Sequence, residues 1–339
     1  MKRICITGGA GFIGSNLAER LHGDVELVLF DNFSTGRREF VADVRRRGRV
    51  MLVNGDVLDI AALERAFAGC DWVFHLQANA DVRRGFEHPR RDLEQNTIAT
   101  ANVLQAMRAT HVRRIAFAST APVYGEPEVF PTPEDAPFPV QTSLYGASKL
   151  AAEGLIAAYA AGYGFTGLIF RLVSVLGEHY THGHVFDFYR ALRREPTRLR
   201  VHGDGRQEKS YLYVGDCVDA FVTALTHHRR DSGVHIYNLG TDETLRVADS
   251  VRIVSECMSL SPAVEYEGGR RGWTGDSPLV YLDTARMRSL GWEPKLTIEQ
   301  AVVRTVRWLA ANEALWSEQG GDTRSAGDRA AGSPRELIP

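Results

Sequence analysis

Two residues in the middle of the chain, Tyr145 and Lys149, have the types and spacing that could carry acid–base chemistry. On a helix, side chains four residues apart lie on one face. A neighbouring cation lowers the pKa of a phenol, and a phenolate near neutral pH can take the proton of an alcohol while hydride leaves the same carbon. Upstream, the segment FASTAPVYGE supplies Thr120, whose hydroxyl can donate to the tyrosine oxygen. These residues predict a site that oxidises an alcohol, although a tyrosine–lysine pair alone arises easily by chance.

A glycine-rich segment at the start of the chain gives this pair its context. Gly8, Gly11 and Gly14 stand between the strand-like RICIT and the helix-like IGSNLAERLHG. Glycines in that context allow a tight turn and a close backbone approach to a pyrophosphate, which lies on the helix N-terminus. The segment therefore predicts a dinucleotide site rather than a merely flexible loop, and Phe12 and Ile13 join the three glycines as predicted contacts.

Two carboxylates predict which dinucleotide binds. Asp31 ends the second predicted strand, where a carboxylate accepts the ribose hydroxyls of adenosine and repels a 2′-phosphate. This favours NAD over NADP, although Arg37 and Arg38 lie close by in the sequence. Asp56 follows the third predicted strand, and it can meet the adenine edge or cap the helix that begins at IAALERAF. Asn32 and Val57 are further predicted contacts with the cofactor. The oxidised nicotinamide ring of NAD would be a second cation next to the phenol of Tyr145.

Bulk composition excludes several classes of protein. The 339 residues carry a formal net charge of −2, so there is no basic surplus to displace counterions from nucleic acid. The four cysteines lack metal-ligand spacing and suit a reducing compartment. The N-terminus runs straight into a strand-like segment, and no apolar stretch approaches the roughly 20 residues of a transmembrane helix. We therefore expect a cytoplasmic protein that binds neither nucleic acid nor membrane.

Strand-like and helix-like segments alternate through the first half of the chain, which is typical of βαβ units and a parallel sheet. The strict alternation stops after about Ser174, and Asp216 is the expected N-cap of a later helix. The predicted fold class is α/β, a Rossmann-type doubly wound parallel sheet with a smaller C-terminal substrate-binding lobe. We expect residues 1–174 to form mainly the NAD-binding domain. Residues 175–316 form mainly the lobe, with some segments returning to the main sheet, and residues 317–339 form a disordered tail.

The sequence resembles the extended short-chain dehydrogenase/reductase family, specifically its NAD-dependent nucleotide-sugar epimerases and dehydratases. The resemblance runs from Lys2 to about Trp308 and rests on the motifs TGGAGFIG, DN, HLQANADVR, STAPVYG, YGASK and GDGRQEKSYLYVGD. It implies a triad of Thr120, Tyr145 and Lys149, supported by a helix-borne Asn96. It also implies that Tyr145 and Lys149 hold the nicotinamide ribose, and that the nicotinamide pocket is lined by Leu76, Gln77, Ala78 and Ser119.

The same resemblance implies a nucleotide-diphosphate sugar as substrate, bound between the domain and the lobe. The implied substrate contacts are Ala80, Thr120, Ser174, His182, Lys209, Arg271 and Asp276. Ser174 stands where the family has an asparagine, and Lys209 stands where it has an arginine. Family members pair two long helices across a two-fold axis, here NTIATANVLQAMRA and YGASKLAAEGLIAAYAAG, so a homodimer is expected. The alternative is that both helix faces are buried within one monomer.

The residues that follow Thr120 separate the reactions of this family. Its 4,6-dehydratases carry an aspartate and a glutamate there, whereas this chain has Ala121 and Pro122, neither of which transfers a proton. What remains is a 4-epimerase: Tyr145 takes the hydroxyl proton, hydride leaves to NAD, the transient 4-keto sugar rotates, and hydride returns to its other face. The alternatives are a 3,5-epimerase, a dehydratase or a 4-keto oxidoreductase, and more remotely a catalytically silent NAD-binding regulator.

Three histidines in EHYTHGHVFDF, namely His179, His182 and His184, cluster next to the expected sugar pocket. Loop histidines at this spacing do not supply the helix-face pair typical of a metal site, so we predict no metal. His182 is expected to hydrogen-bond the substrate. The alternatives are solvated loop histidines and an additional acid or base.

Overall fold

Fourteen strands and twelve α-helices, with short 3₁₀ and π-helical segments between some of them, form the described chain, which comprises residues 2–79, 83, 85–137, 140–229 and 231–317 of a computed structural model. The strands are β1 (Arg3–Thr7), β2 (Glu26–Asp31), β3 (Val50–Asn54), β4 (Trp72–His75), β5 (Arg114–Thr120), β6 (Thr166–Leu172), β7 (Ser174–Leu176), β8 (Arg198–Val201), β9 (Glu208–Lys209), β10 (Tyr211–Tyr213), β11 (Gly233–Leu239), β12 (Leu245–Arg246), β13 (Ala263–Tyr266) and β14 (Leu279–Val280). The helices are α1 (Phe12–Leu21), α2 (Ala42–Arg47), α3 (Ile60–Phe67), α4 (Pro89–Asp92), α5 (Ala99–Ala109), α6 (Leu144–Tyr163), α7 (His184–Arg194), α8 (Val214–His227), α9 (Val247–Cys257), α10 (Ala285–Arg288), α11 (Ile298–Ala311) and α12 (Glu313–Ser317).

Seven parallel strands form the main sheet in the order β11-β6-β5-β4-β1-β2-β3. Because both faces are covered, side chains that alternate along a strand enter two different cores: Ile4 and Ile6 of β1 pack into one, and Cys5 into the other. Helices α1 and α8 lie on the first face, and α3, α5 and α6 lie on the second. The predicted α/β, Rossmann-type doubly wound sheet is confirmed.

The C-terminal half builds a third core from α7, α9 and α11, with three small sheets around it. Two of its elements return to the main sheet: α8 packs on α1, and β11 pairs in parallel with β6. The expected N-cap role of Asp216 is wrong, because α8 begins earlier, at Val214. The carboxylate of Asp216 instead accepts the N–H groups of Lys295 and Leu296, at 3.0 and 3.2 Å.

The C-terminal end of the described chain is helical. Helix α12 ends at Ser317, the first residue that the sequence assigns to a disordered tail, and residues 318–339 of that predicted tail lie outside the described residues. Within the described ranges, no helix combines the length and the apolar character that a membrane crossing requires.

A buried histidine ties two strands of the main sheet to α5. His75 in β4 is fully buried, with Nδ1 at 2.8 Å from the hydroxyl of Thr7 and Nε2 at 3.0 Å from that of Thr100. The Thr100 hydroxyl donates its proton to the carbonyl of Asn96 at 2.6 Å, so the ring must donate from Nε2 and accept at Nδ1. Burial lowers the pKa of His75 to about 3, and the charge of Lys149 lowers it further. The ring is therefore neutral.

The three histidines of EHYTHGHVFDF do not converge. His179 lies against α1, with Nδ1 at 2.7 Å from the hydroxyl of Ser15, and His184 lies against α9, with Nε2 at 3.2 Å from that of Ser250. The ring of His182 contacts those of Phe12 and Tyr180. Burial lowers the pKa of His179 to about 4 and that of His184 to about 3. His179 and His182 therefore join the lobe to α1 of the main domain, whereas His184 packs within the lobe.

We predict that acid destabilises the fold through these neutral histidines. Between the unfolded pKa of ~6.5 and the folded values near 3 to 4, the unfolded chain binds protons that the folded chain does not, so the free energy of unfolding falls as pH falls. Each histidine contributes up to about 1.4 kcal/mol per pH unit within this window. Urea denaturation of the wild type between pH 7 and 5 measures the slope.

The matched comparison uses two single variants. His184→Gln should flatten the pH slope because it removes one of the buried rings, whereas His227→Gln, at an exposed ring on α8, should leave it unchanged. Equal slopes in the wild type and His184→Gln would contradict the prediction.

Candidate active site

The glycine-rich turn lies between β1 and α1 at the carboxyl edge of the main sheet. Gly8 has a φ of +70°, and its N–H donates to a carbonyl of β2 at 2.8 Å. A Cβ on Gly14 would lie 2.1 Å from the Gly8 carbonyl oxygen, so only glycine permits this packing of the turn against α1. Gly11 is the N-cap of α1, and no side chain of the described chain caps its first turn, which includes Phe12 and Ile13. This open helix N-terminus fits a pyrophosphate.

Asp31 lies at the end of β2, where the adenosine ribose of a dinucleotide is expected. Its buried carboxylate accepts the N–H groups of Ala10 at 2.9 Å and Phe33 at 2.8 Å. Burial raises the pKa of Asp31, and the two hydrogen bonds oppose that shift. Asn32 donates from Nδ2 to Oδ2 of Asp56 at 3.0 Å, so two of the predicted adenosine contacts lie side by side.

The helix after β3 is capped by Asp59, not by Asp56. Asp59 accepts the N–H of Ala62 at 3.0 Å, as an N-cap does for a helix that begins at Ile60. Asp56 instead accepts the N–H of Leu58 at 2.9 Å, which shapes the turn before the helix. The cap interpretation of Asp56 is therefore wrong, and the predicted adenine contact remains. Val57 lies in this turn, where its carbonyl accepts from the side chain of Asn102 at 3.2 Å.

The loop after β4 lies next to the glycine turn. The N–H of Leu76 donates to a carbonyl of β1 at 3.1 Å, and a Cβ on Gly8 would lie 2.8 Å from the nitrogen of Gln77. Oε1 of Gln77 is buried and has no hydrogen-bond partner among the described residues. A buried acceptor here fits a ligand with N–H or O–H donors, as a dinucleotide has. Ala78 follows in the same loop, whereas Ala80 lies outside the described residues.

Tyr145 and Lys149 lie one turn apart at the start of α6, a helix capped by Ser143. Thr120, the last residue of β5, hydrogen-bonds the side chain of Tyr145. Nζ of Lys149 donates to the carbonyl of Ala118 in β5 at 2.9 Å. The three residues that the sequence predicts to act together therefore meet at the carboxyl end of β5.

The electrostatics of this trio differ from the expectation. Burial raises the pKa of Tyr145 to about 12; the hydrogen bond from Thr120 opposes this and the charge of Asp92 adds to it. The cation of Lys149 does not offset the burial of the phenol, contrary to what the spacing predicts. Burial also lowers the pKa of Lys149 to about 7, and the carboxylate of Glu153 opposes that shift. Within the chain alone, the phenol is held protonated.

Asn96 reaches the trio through α6. It lies, 1% exposed, in a π-helical segment, Leu93–Ile98, between α4 and α5. Its Oδ1 accepts the N–H of Asn79 at 2.9 Å, and its Nδ2 donates to the hydroxyl of Ser148 at 2.9 Å. That hydroxyl donates in turn to the carbonyl of Tyr145 at 2.8 Å. Asn96 therefore links the loop after β4 to the helix that carries the tyrosine.

Sequence reasoning missed a buried ion pair next to the trio. Glu153 and Arg171 of β6 are 6% and 10% exposed in their side chains, with Oε2 and Nη2 2.7 Å apart. Ser119, which the resemblance assigns to the cofactor pocket, donates its hydroxyl to Glu153. A signal was present, because Glu153 follows Lys149 at the same four-residue spacing that separates Lys149 from Tyr145.

Three of the predicted substrate contacts meet in the lobe. Nζ of Lys209 pairs with the buried carboxylate of Asp276, and Arg271 donates to the carbonyl of Asp276 at 2.7 Å. Trp273, which sequence reasoning also missed, has its ring centre 4.8 Å from Nζ of Lys209. The Asp276 carboxylate, expected to meet a ribose, is here engaged by Lys209 and by an N–H at 2.9 Å. Ser174 lies at the start of β7 and is exposed.

A single glycine brings this cluster against the start of α6, the helix that carries Tyr145. Gly275 has a φ of +87°, and a Cβ there would lie 2.9 Å from the carbonyl oxygen of Thr142 and 3.3 Å from Cβ of Ser143. The lobe therefore meets the main domain two to three residues before Tyr145. Because Gly275 directly precedes Asp276, this contact holds the cluster of Lys209, Arg271 and Asp276 close to the start of α6.

This chain is similar to known proteins in both sequence and fold. The model of the "NAD dependent epimerase/dehydratase family" matches residues 4–240. A UDP-glucose 4-epimerase of Azospirillum brasilense is 31% identical, over 96% of this chain and 97% of that protein. A solved UDP-galactose 4-epimerase is 38% identical with a TM-score of 0.81, covering 93% of this chain and 100% of its own. The UDP-glucose 4-epimerase of Thermus thermophilus, solved in complex with NAD, is 32% identical with a TM-score of 0.80, covering 91% and 99%.

The buried ion pair generates a stability prediction. Arg171→Met leaves the charge of Glu153 buried without its partner, which should lower the free energy of unfolding by about 3–5 kcal/mol. The matched control is Arg252→Met, which breaks an exposed arginine–glutamate pair on α9 and should cost less than about 1 kcal/mol. Urea denaturation at pH 7 measures both losses.

A double variant separates loss of the pair from loss of packing. Arg171→Met combined with Glu153→Met replaces both charges by apolar groups and should recover part of the stability. Losses of the same size for Arg171→Met and Arg252→Met would overturn this account of the buried pair.

Proposed function

The chain belongs to the NAD-dependent epimerase/dehydratase family, and we propose that it is a nucleotide-sugar 4-epimerase that acts through a transient 4-keto sugar. NAD is its cofactor. The observation that carries the proposal is the meeting of Thr120, Tyr145 and Lys149 at the end of β5, on the same edge of the sheet as the glycine turn of β1 and separated from it by one strand, β4. The 4-epimerases among its relatives support a UDP-hexose as the substrate.

The residues that would hold the cofactor lie along the carboxyl edge of the sheet. The glycine turn and the open N-terminus of α1 would bind the pyrophosphate, and Asp31 the adenosine ribose. Tyr145 and Lys149 would hold the nicotinamide ribose. Bound NAD supplies a hydride acceptor that later returns the hydride to the sugar.

Tyr145 is the proposed proton carrier. Its pKa of about 12 keeps the phenol protonated until a positive charge lies next to it, and an oxidised nicotinamide brings that charge. The hydrogen bond from Thr120 stabilises the phenolate, so the tyrosine can take the proton of the sugar hydroxyl as the hydride leaves. Lys149 is fixed by the carbonyl of Ala118 and adds a second positive charge when it is protonated.

The lobe supplies the contacts that we propose for the nucleotide. Lys209 and Arg271 are the cations of the cluster that Gly275 brings against α6, and they would meet the diphosphate. Lys209 acts there as a point charge, whereas a guanidinium could bind two oxygens at once.

The proposed epimerisation needs no acid or base beyond the tyrosine. Elimination of water requires a proton to leave one carbon and another to reach the departing hydroxyl. Ala121 and Pro122 occupy the 3₁₀ turn directly after Thr120, and neither side chain can transfer a proton. This favours oxidation and re-reduction at one carbon over a 4,6-dehydration.

We predict that the NAD-loaded protein interconverts a UDP-hexose and its 4-epimer, while Tyr145→Phe loses turnover by orders of magnitude and keeps NAD binding nearly intact. A panel of UDP-, dTDP-, CDP- and GDP-sugars read by proton NMR identifies the substrate. In D₂O the product should carry no carbon-bound deuterium, because only the hydride moves at carbon. NADH should not accumulate in solution.

The matched control is Tyr159→Phe, which removes a hydroxyl from the same helix and should keep wild-type turnover. Deuterium on the sugar carbons would show a 3,5-epimerase or a dehydratase instead, and stoichiometric release of NADH would show an oxidoreductase. Wild-type turnover in Tyr145→Phe would reject the tyrosine as the proton carrier.

We also propose that the chain forms a homodimer through α5 and α6. One face of α6 exposes small residues at helical spacing, which allow a second helix to approach closely; they are Ala151, Gly154, Ala158 and Ala161. Next to α5, the side chains of Leu93 and Ile98 are 49% and 42% exposed.

The dimer prediction is tested by light scattering coupled to size-exclusion chromatography. The wild type should have twice the mass of one chain, and Ala158→Arg should have the mass of a monomer because a long cation cannot fit between close helices. Ala285→Arg, at an exposed alanine on α10, should remain dimeric. A wild-type monomer, or a dimer that Ala158→Arg leaves intact, would refute this interface.

A further inference from the structure

A second group of residues with ligand chemistry lies at the opposite end of the main sheet from the candidate active site. His228 is the C-cap of α8, Asp231 lies in the connection that follows, and His235 is the third residue of edge strand β11. One ligand atom from each residue lies within 4.8 Å of the other two. The candidate active site occupies the carboxyl ends of the strands, so this group is separate from it.

The ligand atoms of the three side chains already lie near one another. Nδ1 of His228 lies 2.6 Å from Oδ2 of Asp231, and Nε2 of His235 lies 4.0 Å from the same oxygen. The two imidazole rings stack, with centroids 3.9 Å apart and an interplanar angle of 26°. The other nitrogen of His228 lies 2.6 Å from the hydroxyl of Tyr237, which fixes the orientation of the ring.

His235 offers a buried lone pair that nothing described uses. The ring donates to the backbone of Ser232, and Nε2 is buried with no hydrogen-bond partner among the described residues. Since Nε2 has no partner, the nitrogen that donates is Nδ1, and Nε2 carries a lone pair. This nitrogen lies near the carboxylate oxygen of Asp231, which is also an electron-pair donor. A cation between the two would satisfy both.

We propose that His228, Asp231 and His235 bind a divalent transition-metal ion, with Zn²⁺ as the reference ion, through Nδ1, Oδ2 and Nε2. Two imidazoles and a carboxylate are a common ligand set for such ions. Bonds of about 2.0–2.2 Å in a tetrahedral arrangement place ligand atoms about 3.3 Å apart, and the observed separations of 2.6 and 4.0 Å lie on either side of that value. The stacked ring of His235 must turn so that its nitrogen and that of His228 both point at the ion. Tyr237 would then accept from Nε2 of His228 and hold the ring in the ligating tautomer.

The backbone on both sides of the site is anchored. The N–H of His228 donates to the last turn of α8 at 3.0 Å, and the hydroxyl of Thr166 donates to the carbonyl of Asp231. The N–H of Gly233 donates to the carbonyl of Phe165 at 3.1 Å, where β11 begins to pair with β6. The ion would therefore join the end of α8 to the edge strand of the main sheet, and it would act on stability rather than on the reaction.

The experiment uses the full chain, purified without an affinity tag and treated with chelator, and adds Zn²⁺ or Co²⁺ alone. Isothermal titration calorimetry should show one saturable site per chain, and Zn²⁺ should raise the melting temperature. Bound Co²⁺ should give the visible absorption of a tetrahedral site with nitrogen ligands. Asp231→Asn and His235→Gln should each weaken binding at least tenfold, and both lie at exposed or half-exposed positions where folding tolerates the change.

His227→Gln is the matched control, because His227 is the exposed histidine directly before His228 and should leave the affinity unchanged. Circular dichroism and NAD binding confirm that each variant is folded. Absence of a saturable site in the wild type would overturn the proposal. Binding that survives in both Asp231→Asn and His235→Gln would overturn it as well, since it would place the ion elsewhere.

Discussion

A lysine buried at the carboxyl edge of the sheet must have its ammonium charge compensated or lose its proton, since an unpaired charge in a protein interior costs several kcal/mol. The carbonyl of Ala118 accepts from Lys149, and Glu153 lies one turn further along α6. Glu153 is balanced in turn by Arg171, which also donates to the carbonyl of Glu134 at 3.0 Å. These contacts hold α6 in one register on β5 and β6. The position of Tyr145 follows from that register.

The strand order places a crevice next to this helix. Strand β1 has β2 on one side and β4 on the other. The connection after β1 therefore runs towards one edge of the sheet and the connection after β4 towards the other, so the two loops diverge. Gly8 and Gln77 are in close contact at the floor of this crevice. An open α/β sheet binds its ligand at such a point. Thr120, Tyr145 and Lys149 meet at the end of the next strand along, β5.

Local patterns in the sequence predicted the parts of this protein that depend on local physics. Buried strands appear in the sequence as apolar runs, and the turn after β1 has positions where only glycine fits. Both features could therefore be located from the sequence. Helix caps were less secure: the helix after β3 begins at Ile60 as predicted, but Asp59 caps it instead of Asp56. Helix α8 begins at Val214, which removes the cap role from Asp216. The contacts of Arg171 and Gly275 join segments far apart in the chain, and no local pattern encodes them. The pKa of Tyr145 also depends on how deeply the ring is buried, which spacing alone does not reveal.

The π-helical segment Leu93–Ile98 determines how the residues before it are rotated relative to α5. An α-helix turns by about 100° per residue, so one widened turn rotates everything before it relative to everything after it by about that amount. Asn96 and Asp92 therefore face the loop at Asn79, while the residues of α5 keep their apolar face on the sheet. Deleting one residue to restore a regular helix would not simply shorten the segment. It would rotate Asp92 and Asn96 away from Asn79 and leave the packing of α5 in place. The widened turn therefore sets the angle between the polar face of one helical segment and the apolar face of the next.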